Sequence, residues 1–136
     1  MEKDEELEEL RHRKLRDLIQ KRESESDAYA VGSPVEVTDS NFNKVIDENH
    51  LVAIDCWAAW CAPCRIMGPI IEELAKDYAG KLLIGKLNVD ENRMVPLEYQ
   101  IMSIPTILVF KNGQLVDRIV GAMPKKLLEQ KIIKHL

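Results

Sequence analysis

Leu51-Val52-Ala53-Ile54-Asp55-Cys56-Trp57 is an apolar run broken by one carboxylate, and Ala58-Ala59-Trp60-Cys61-Ala62-Pro63-Cys64 follows it directly. A continuous apolar run of this kind reads as a central strand covered on both faces. Beyond the cysteines, Ile66, Ile70, Ile71, Leu74 and Tyr78 recur at core spacing, so the spacing predicts a helix from Cys61 to about Ala79, stopped by Gly80. Two thiols therefore fall where a strand hands over to a helix. There, unpaired backbone N–H groups and the positive end of the helix dipole favour a thiolate, and Cys61 holds the first position. The spacing sets Cys64 one helical turn away, near enough to close a disulfide without unwinding the backbone. Such a pair stores or delivers two electrons.

Outward from this stretch the chain alternates strands and helices. Val35-Glu36-Val37 reads as a short edge strand, and Thr38-Asp39-Ser40 offers capping side chains for a helix through Phe42, Val45 and Ile46. Leu82 to Val89 is expected as a buried strand and Met94 to Tyr99 as a short helix or turn. Thr106 to Lys111 and Gln114 to Val120 are strands joined by Asn112-Gly113, a strong tight-hairpin signal. Pro124 opens a last amphipathic helix through Leu127, Leu128, Ile132 and Ile133, while Pro69, inside the long helix, removes one hydrogen bond and is expected to kink it. The order β-α-β-α-β-α-β-β-α implies an α/β fold. Its first strands are parallel through right-handed crossovers, its final hairpin is antiparallel, and helices cover both faces of the mixed sheet.

At 136 residues and 46% hydrophobic content, the chain is sized for one domain plus an appendage. Residues 1–34 hold 10 acids and 7 bases (−3), and residues 35–136 hold 13 acids and 12 bases (−1). A near-neutral body argues against nucleic acid as a partner. No apolar stretch approaches the roughly 20 residues of a membrane helix, and the charged start Met1-Glu2-Lys3-Asp4-Glu5-Glu6 is unlike a secretory signal. A cytoplasmic protein without membrane contact is expected. Six acids lie within residues 2–9 and six bases within residues 11–22, an order that suits a helix dipole, and only Leu7, Leu10, Leu15, Leu18 and Ile19 are large and apolar there. A charged helix is expected over residues 2–22, a linker over 23–34, and a domain from Val35.

The chain resembles the thioredoxin family over roughly residues 35–136. The likeness rests on Asp55 six residues before Cys61, Trp57-Ala58-x-Trp60-Cys61-x-Pro63-Cys64, Pro69, Lys86-Leu87-Asn88-Val89-Asp90, Ile104-Pro105-Thr106, and Gly113 followed by Gly121. It implies a thioredoxin-like three-layer fold with a central mixed sheet flanked by helices. The implied activity is thiol–disulfide oxidoreduction: reduction of disulfides in protein substrates through Cys61 and Cys64, with re-reduction by a flavin-dependent thioredoxin reductase and no bound cofactor. Two positions depart from the family's usual pattern, Ala62 for Gly and Arg65 for Lys. Ala62 keeps a small side chain beside the attacking sulfur, and Arg65 keeps the charge. The absence of a histidine between the cysteines favours the reductant end of the superfamily.

Asp55 interrupts an apolar strand, where an isolated carboxylate is costly and resists ionisation. The bland reading is a satisfied buried acid or an outward-facing one. The resemblance implies instead a proton acceptor and donor for Cys64 through water, with Lys86 as a partial counter-charge. It further implies that Trp60, Ala62 and Pro63 border a docking rim, that a cis bond before Pro105 exposes the Ile104 backbone to an extended substrate, and that Gly121 and Ala122 flank it. Cys56 reads as a small buried hydrophobe. A zinc site is not expected, because the other candidate ligands are Cys56 and three scattered histidines, His12, His50 and His135. A redox-inert module recruiting a partner through its N-terminal helix, and a more oxidising isomerase-like protein, are the alternative readings.

Overall fold

The computed structural model describes Arg11, Arg13 and residues 32–136. Apart from these two arginines and positions 32–34, the expected charged helix and linker lie outside the described residues. The strands are β1 (Val35–Glu36), β2 (Leu51–Trp57), β3 (Leu83–Asn88), β4 (Thr106–Lys111) and β5 (Gln114–Val120). The helices that accompany them are α1 (Phe42–Glu48), α2 (Ala62–Asp77), α3 (Met94–Glu98) and α4 (Lys125–Ile133). One sheet runs β1-β3-β2-β4-β5, parallel among the first three and antiparallel across β2/β4 and β4/β5. The element order and the mixed sheet are those expected, with strand and helix ends displaced by one or two residues.

β2 is central because it is buried along nearly its whole length. Side chains alternate across a strand, so its odd and even positions feed two different cores. Leu51 and Ala53 pack with Met67, Ile71 and Leu74 of α2 and Leu128 and Ile132 of α4. Val52, Ile54 and Cys56 pack with Phe42 and Ile46 of α1 and Val95 of α3. In that second core Phe42, Tyr99 and Phe110 meet pairwise with ring centroids 5.4–5.5 Å apart, in tilted and edge-on contacts.

Turn chemistry places the rest. Asn112 and Gly113 both have positive φ, 52° and 81°, as the tight hairpin requires. Gly80, with φ 81°, follows α2 and allows the reversal into β3. Pro69 lies inside α2, which continues through it. Gly32 is buried against the last turn of α2, where a Cβ would stand 2.6 Å from the Ala75 carbonyl oxygen and 2.7 Å from the Lys76 Cα. The chain therefore enters the domain at the end of α2 away from the cysteines.

Two local expectations are corrected. Ile66 is 69% exposed, and Met67 is buried in its place, because Cys64 faces inward and the residues three, seven and ten positions on, Met67, Ile71 and Leu74, continue its face. Likewise Asp39 does not cap α1, whose N-cap is Asn41 without a side-chain bond. Its carboxylate instead accepts from Met94 N at 3.1 Å and Val95 N at 2.9 Å, capping α3 from the β1–α1 loop. Asp39→Ala should cost about 1 kcal/mol in urea unfolding; an unchanged midpoint would show that α3 holds without this cap.

Candidate active site

Cys61 is the N-cap of α2, with extended backbone (φ −88°, ψ 106°), and its Sγ accepts a hydrogen bond from Cys64 N at 3.2 Å. A capping serine oxygen makes the same bond. Pro63, in the first turn, loses nothing by lacking an N–H, since that donor would have no partner within the helix. The turn from β2 is closed by Cys61 N donating to the Ala58 carbonyl at 3.2 Å. Cys61 and Cys64 are disulfide-bonded, with Cα atoms 5.3 Å apart. Both are buried in a small cluster with Ala58, against which Trp57, Val89 and Ile104 pack.

Around this pair, Ala62 and Pro63 are exposed, and so is Trp60, at 68%. Trp60 Nε1 donates to Asp90 Oδ2 at 2.9 Å, and Asp90 N donates to Asn88 Oδ1, so the indole is moored to the loop after β3. The Ile104–Pro105 peptide is cis, with Pro105 buried. The Ile104 carbonyl oxygen lies 3.8 Å from Cys61 Sγ, and the Ile104 N–H has no hydrogen-bond partner among the described residues. Gly121 N donates to the Pro105 carbonyl at 2.9 Å, which ties the end of β5 to this loop.

Asp55 lies one layer deeper. Its odd position on β2 puts it on the α2 side of the sheet, with Leu51 and Ala53. It is 1% exposed, and its Oδ1 has no hydrogen-bond partner among the described residues. Burial pushes its pKa up to about 6, against the opposing attraction of Lys86. Lys86 is its register neighbour on β3, and Lys86 Nζ stands 4.9 Å from the Trp57 ring centroid, a cation–π distance. Cys56, at an even position, faces the other core, and burial, reinforced by Asp55 and opposed by Arg118, pushes its thiol up to about 12. The sheet itself separates Cys56 from the dithiol.

The structure thus brings Cys61, Cys64, Ile104 and Pro105 together, with Trp60, Ala62 and Pro63 beside them and Gly121 bonded to Pro105, while Asp55 and Lys86 form a register pair on the neighbouring strands β2 and β3. Sequence reasoning missed Asp90, the mooring of Trp60. It also missed a largely apolar groove lined by Val89, Pro96, Leu97, Ile101 and Met102 with Arg93 and Gln100 as its polar members, which adjoins the dithiol cluster through Val89. A signal existed: Met94, Val95 and Leu97 are more apolar residues than a five-residue helix can bury on one face, and Met94 and Leu97 are exposed.

A family model described as Thioredoxin matches residues 33–134. The chain belongs to the thioredoxin family. A thioredoxin of Chlorobaculum thiosulfatiphilum is 49% identical over 106 residues, covering 77% of this chain and 98% of its own length. Thioredoxin 1 of Nostoc sp. is 47% identical over 107 residues, covering 78% of this chain and all of its own length. Among solved structures, a single-site mutant of a thioredoxin from Halobacterium salinarum superposes with a TM-score of 0.73 at 28% identity, over 78% of this chain and 93% of that one. With the Cys61–Cys64 pair closed in the structure, this thioredoxin-family chain is a thiol–disulfide oxidoreductase that acts on disulfide-containing proteins.

The raised pKa of Asp55 makes stability depend on pH. Between its ordinary value, 3.8, and about 6, the folded protein keeps a proton that the unfolded chain has released, so stability falls as pH rises through that window. Asp55→Asn removes the dependence. From pH 4 to pH 7 the variant should gain up to about 3 kcal/mol relative to the parent protein, read by urea unfolding at each pH; a difference that stays constant would place the raised pKa elsewhere.

Proposed function

We propose that Cys61 is the attacking sulfur, Cys64 the resolving one and Asp55 the proton acceptor for Cys64. The observation that carries the division of labour is the position of each cysteine on the helix. Cys61 is the N-cap, its sulfur 3.8 Å from the Ile104 carbonyl oxygen, whereas Cys64 lies inside the first turn at the head of the buried row Met67, Ile71 and Leu74.

Cys61 thiolate attacks one sulfur of the substrate disulfide. A mixed disulfide forms, and the other substrate sulfur leaves as thiolate. Cys64, giving its proton to Asp55, attacks Cys61; the Cys61–Cys64 disulfide closes and the second substrate sulfur is released. Two electrons have passed to the substrate. The helix N-terminus stabilises the Cys61 thiolate through the Cys64 N–H already aimed at its sulfur. Lys86 limits the cost of charging Asp55. Neither step calls on a further cofactor.

The substrate is an extended segment pairing with the Ile104 backbone, bordered by Trp60, Ala62, Pro63 and Gly121. The groove beside Val89 extends that surface, with Met102 93% exposed at its edge. The disulfide left after each turnover needs two electrons from outside, and a flavin-dependent thioredoxin reductase is the partner we assign, in the cytoplasm. Residues 35–136 form the catalytic domain, and residues 1–34 are an appended segment outside it. That division agrees with Gly32 lying at Ala75–Lys76, 14 residues along α2 from Cys61 and so about 20 Å along the helix axis.

Cys61→Ser should abolish reduction of an insulin-type protein disulfide, while Cys64→Ser should retain a covalent substrate adduct visible by mass spectrometry. Trapping by the Cys61 variant instead would reverse the roles. Deletion of residues 1–31 should leave a folded protein with activity within about twofold, since a shift below about 0.5 kcal/mol is expected for surface changes away from the site; loss of all activity would place the extension in catalysis.

A further inference from the structure

Tyr99 to Pro105 is the segment that bears most of the proposed docking surface. Gln100, Ile101 and Met102 wall the groove, and Ile104 sets its carbonyl 3.8 Å from Cys61 Sγ. Neither α3, which ends at Glu98, nor β4, which begins at Thr106, includes these residues, so their backbone must be held by other means. The end near the dithiol is held twice: Thr106 Oγ1 donates to the Ser103 carbonyl at 2.6 Å, and Gly121 N to the Pro105 carbonyl at 2.9 Å.

At the beginning of the segment the N–H groups are satisfied by α3, Tyr99 N donating to the Val95 carbonyl at 3.0 Å, Gln100 N to Leu97 at 3.3 Å and Ile101 N to Pro96 at 2.9 Å. The Tyr99 ring packs on Phe42 and Phe110, but these contacts leave the segment's own first carbonyls to be satisfied from elsewhere. The segment follows a helix of five residues, too short to persist on its own, and turns through Gln100 at φ 51°, a left-handed conformation that disfavours side chains with a Cβ. Just there two consecutive carbonyls project from the last turn. Both are taken by one side chain of β5: Arg118 Nη2 donates to the Tyr99 carbonyl and Nη1 donates to the Gln100 carbonyl at 3.2 Å.

We propose that Arg118 is a positioning residue for substrate docking, its guanidinium fixing the start of the segment that presents the groove wall and the Ile104 backbone to a protein disulfide. Arg118 pairs in register with Leu108 of β4, and β4 pairs with β2, so the bond transmits the sheet's position to the loop. A planar fork spans two carbonyls in fixed geometry, which a lysine ammonium does not. The arginine is exposed, so water replaces its bonds when it is removed; the fold and the bonds to α3 persist, and the two carbonyls lose the fixed donor that sets the orientation of the groove wall after them. Sulfur chemistry is untouched, because Arg118 shares its register position with Leu108, whose side chain belongs to the core on the Cys56 side of the sheet and not to the side covered by α2. This role rests on the proposed docking of substrates along Ile104 and the groove.

The test compares the full chain with Arg118→Met, Arg118→Lys and Met102→Ser on two substrates, an insulin-type protein disulfide and a small aromatic disulfide that needs no docking surface. Arg118→Met should raise KM for the protein disulfide about fivefold, the loss of roughly one net hydrogen bond, with kcat and the small-disulfide rate unchanged. Arg118→Lys should fall between the two, and the small-disulfide rate reports that each variant is folded. An unchanged KM for Arg118→Met, or equal losses on both substrates, overturns the positioning role. Met102→Ser separates the two readings: if it raises KM for the protein disulfide while Arg118→Met does not, docking stands and Arg118 falls. If neither raises it, the docking surface falls as well and the positioning role with it.

Discussion

Everything in this molecule hangs on β2 being buried on both sides. A strand with two covered faces sends alternate side chains into separate cores, and that period-2 rule decides which chemistry meets which. Asp55 falls on the α2 side, beneath the helix that begins at the cysteines, and Cys56 falls on the other side with Phe42 and Val95. A slip of one residue would exchange them, setting a third thiol under the dithiol and the carboxylate among aromatic rings. Pairing of β2 with β3 and β4 over six residues each removes that freedom.

The same strand ends where the helix must start, and this gives Cys61 its environment. A capping position needs a side-chain acceptor for a first-turn N–H, and here sulfur supplies it. The opposite wall comes from β4 and β5, through Ile104, Pro105 and the Gly121 bond. A helix terminus and a loop from distant parts of the chain thus converge on one sulfur, while the sheet side that α2 covers holds a carboxylate whose pKa burial raises to about 6. The proposed division of labour assigns substrate attack to the first sulfur and proton exchange to the second.

Much of this was legible in the amino-acid order, for physical reasons that can be named. The run Leu51–Trp57, apolar but for Asp55, leaves a covered strand as the natural reading; Asn112-Gly113 supplies two residues tolerant of positive φ; Cys61 and Cys64 carry the chemistry at a spacing a helix turn dictates. The misreadings concern phase and distance. Ile66 is as apolar as Met67, and only the inward direction of Cys64 fixes which of them the helix buries. Asp39 caps a helix 55 positions away rather than the adjacent one, Trp60 is moored by Asp90, and Arg118 of β5 meets Tyr99 at the end of α3, contacts that no local pattern encodes. The groove beside Val89 escaped for the same reason, since its walls come from the loop after β3, from α3 and from the segment that follows α3.

If the buried carboxylate under the dithiol moves the proton that frees Cys64, the step it controls is release of the mixed disulfide. That step is measured as the rate at which a preformed mixed disulfide on Cys61 releases substrate, followed by stopped flow from pH 4.5 to 8.5 in the parent protein and in Asp55→Asn. The parent profile should show an inflection near the pKa of Asp55, about 6, and the variant should be slower near neutrality and lack that inflection. Identical profiles in the two proteins would mean that the proton goes elsewhere and that Asp55 has no part in resolving the intermediate.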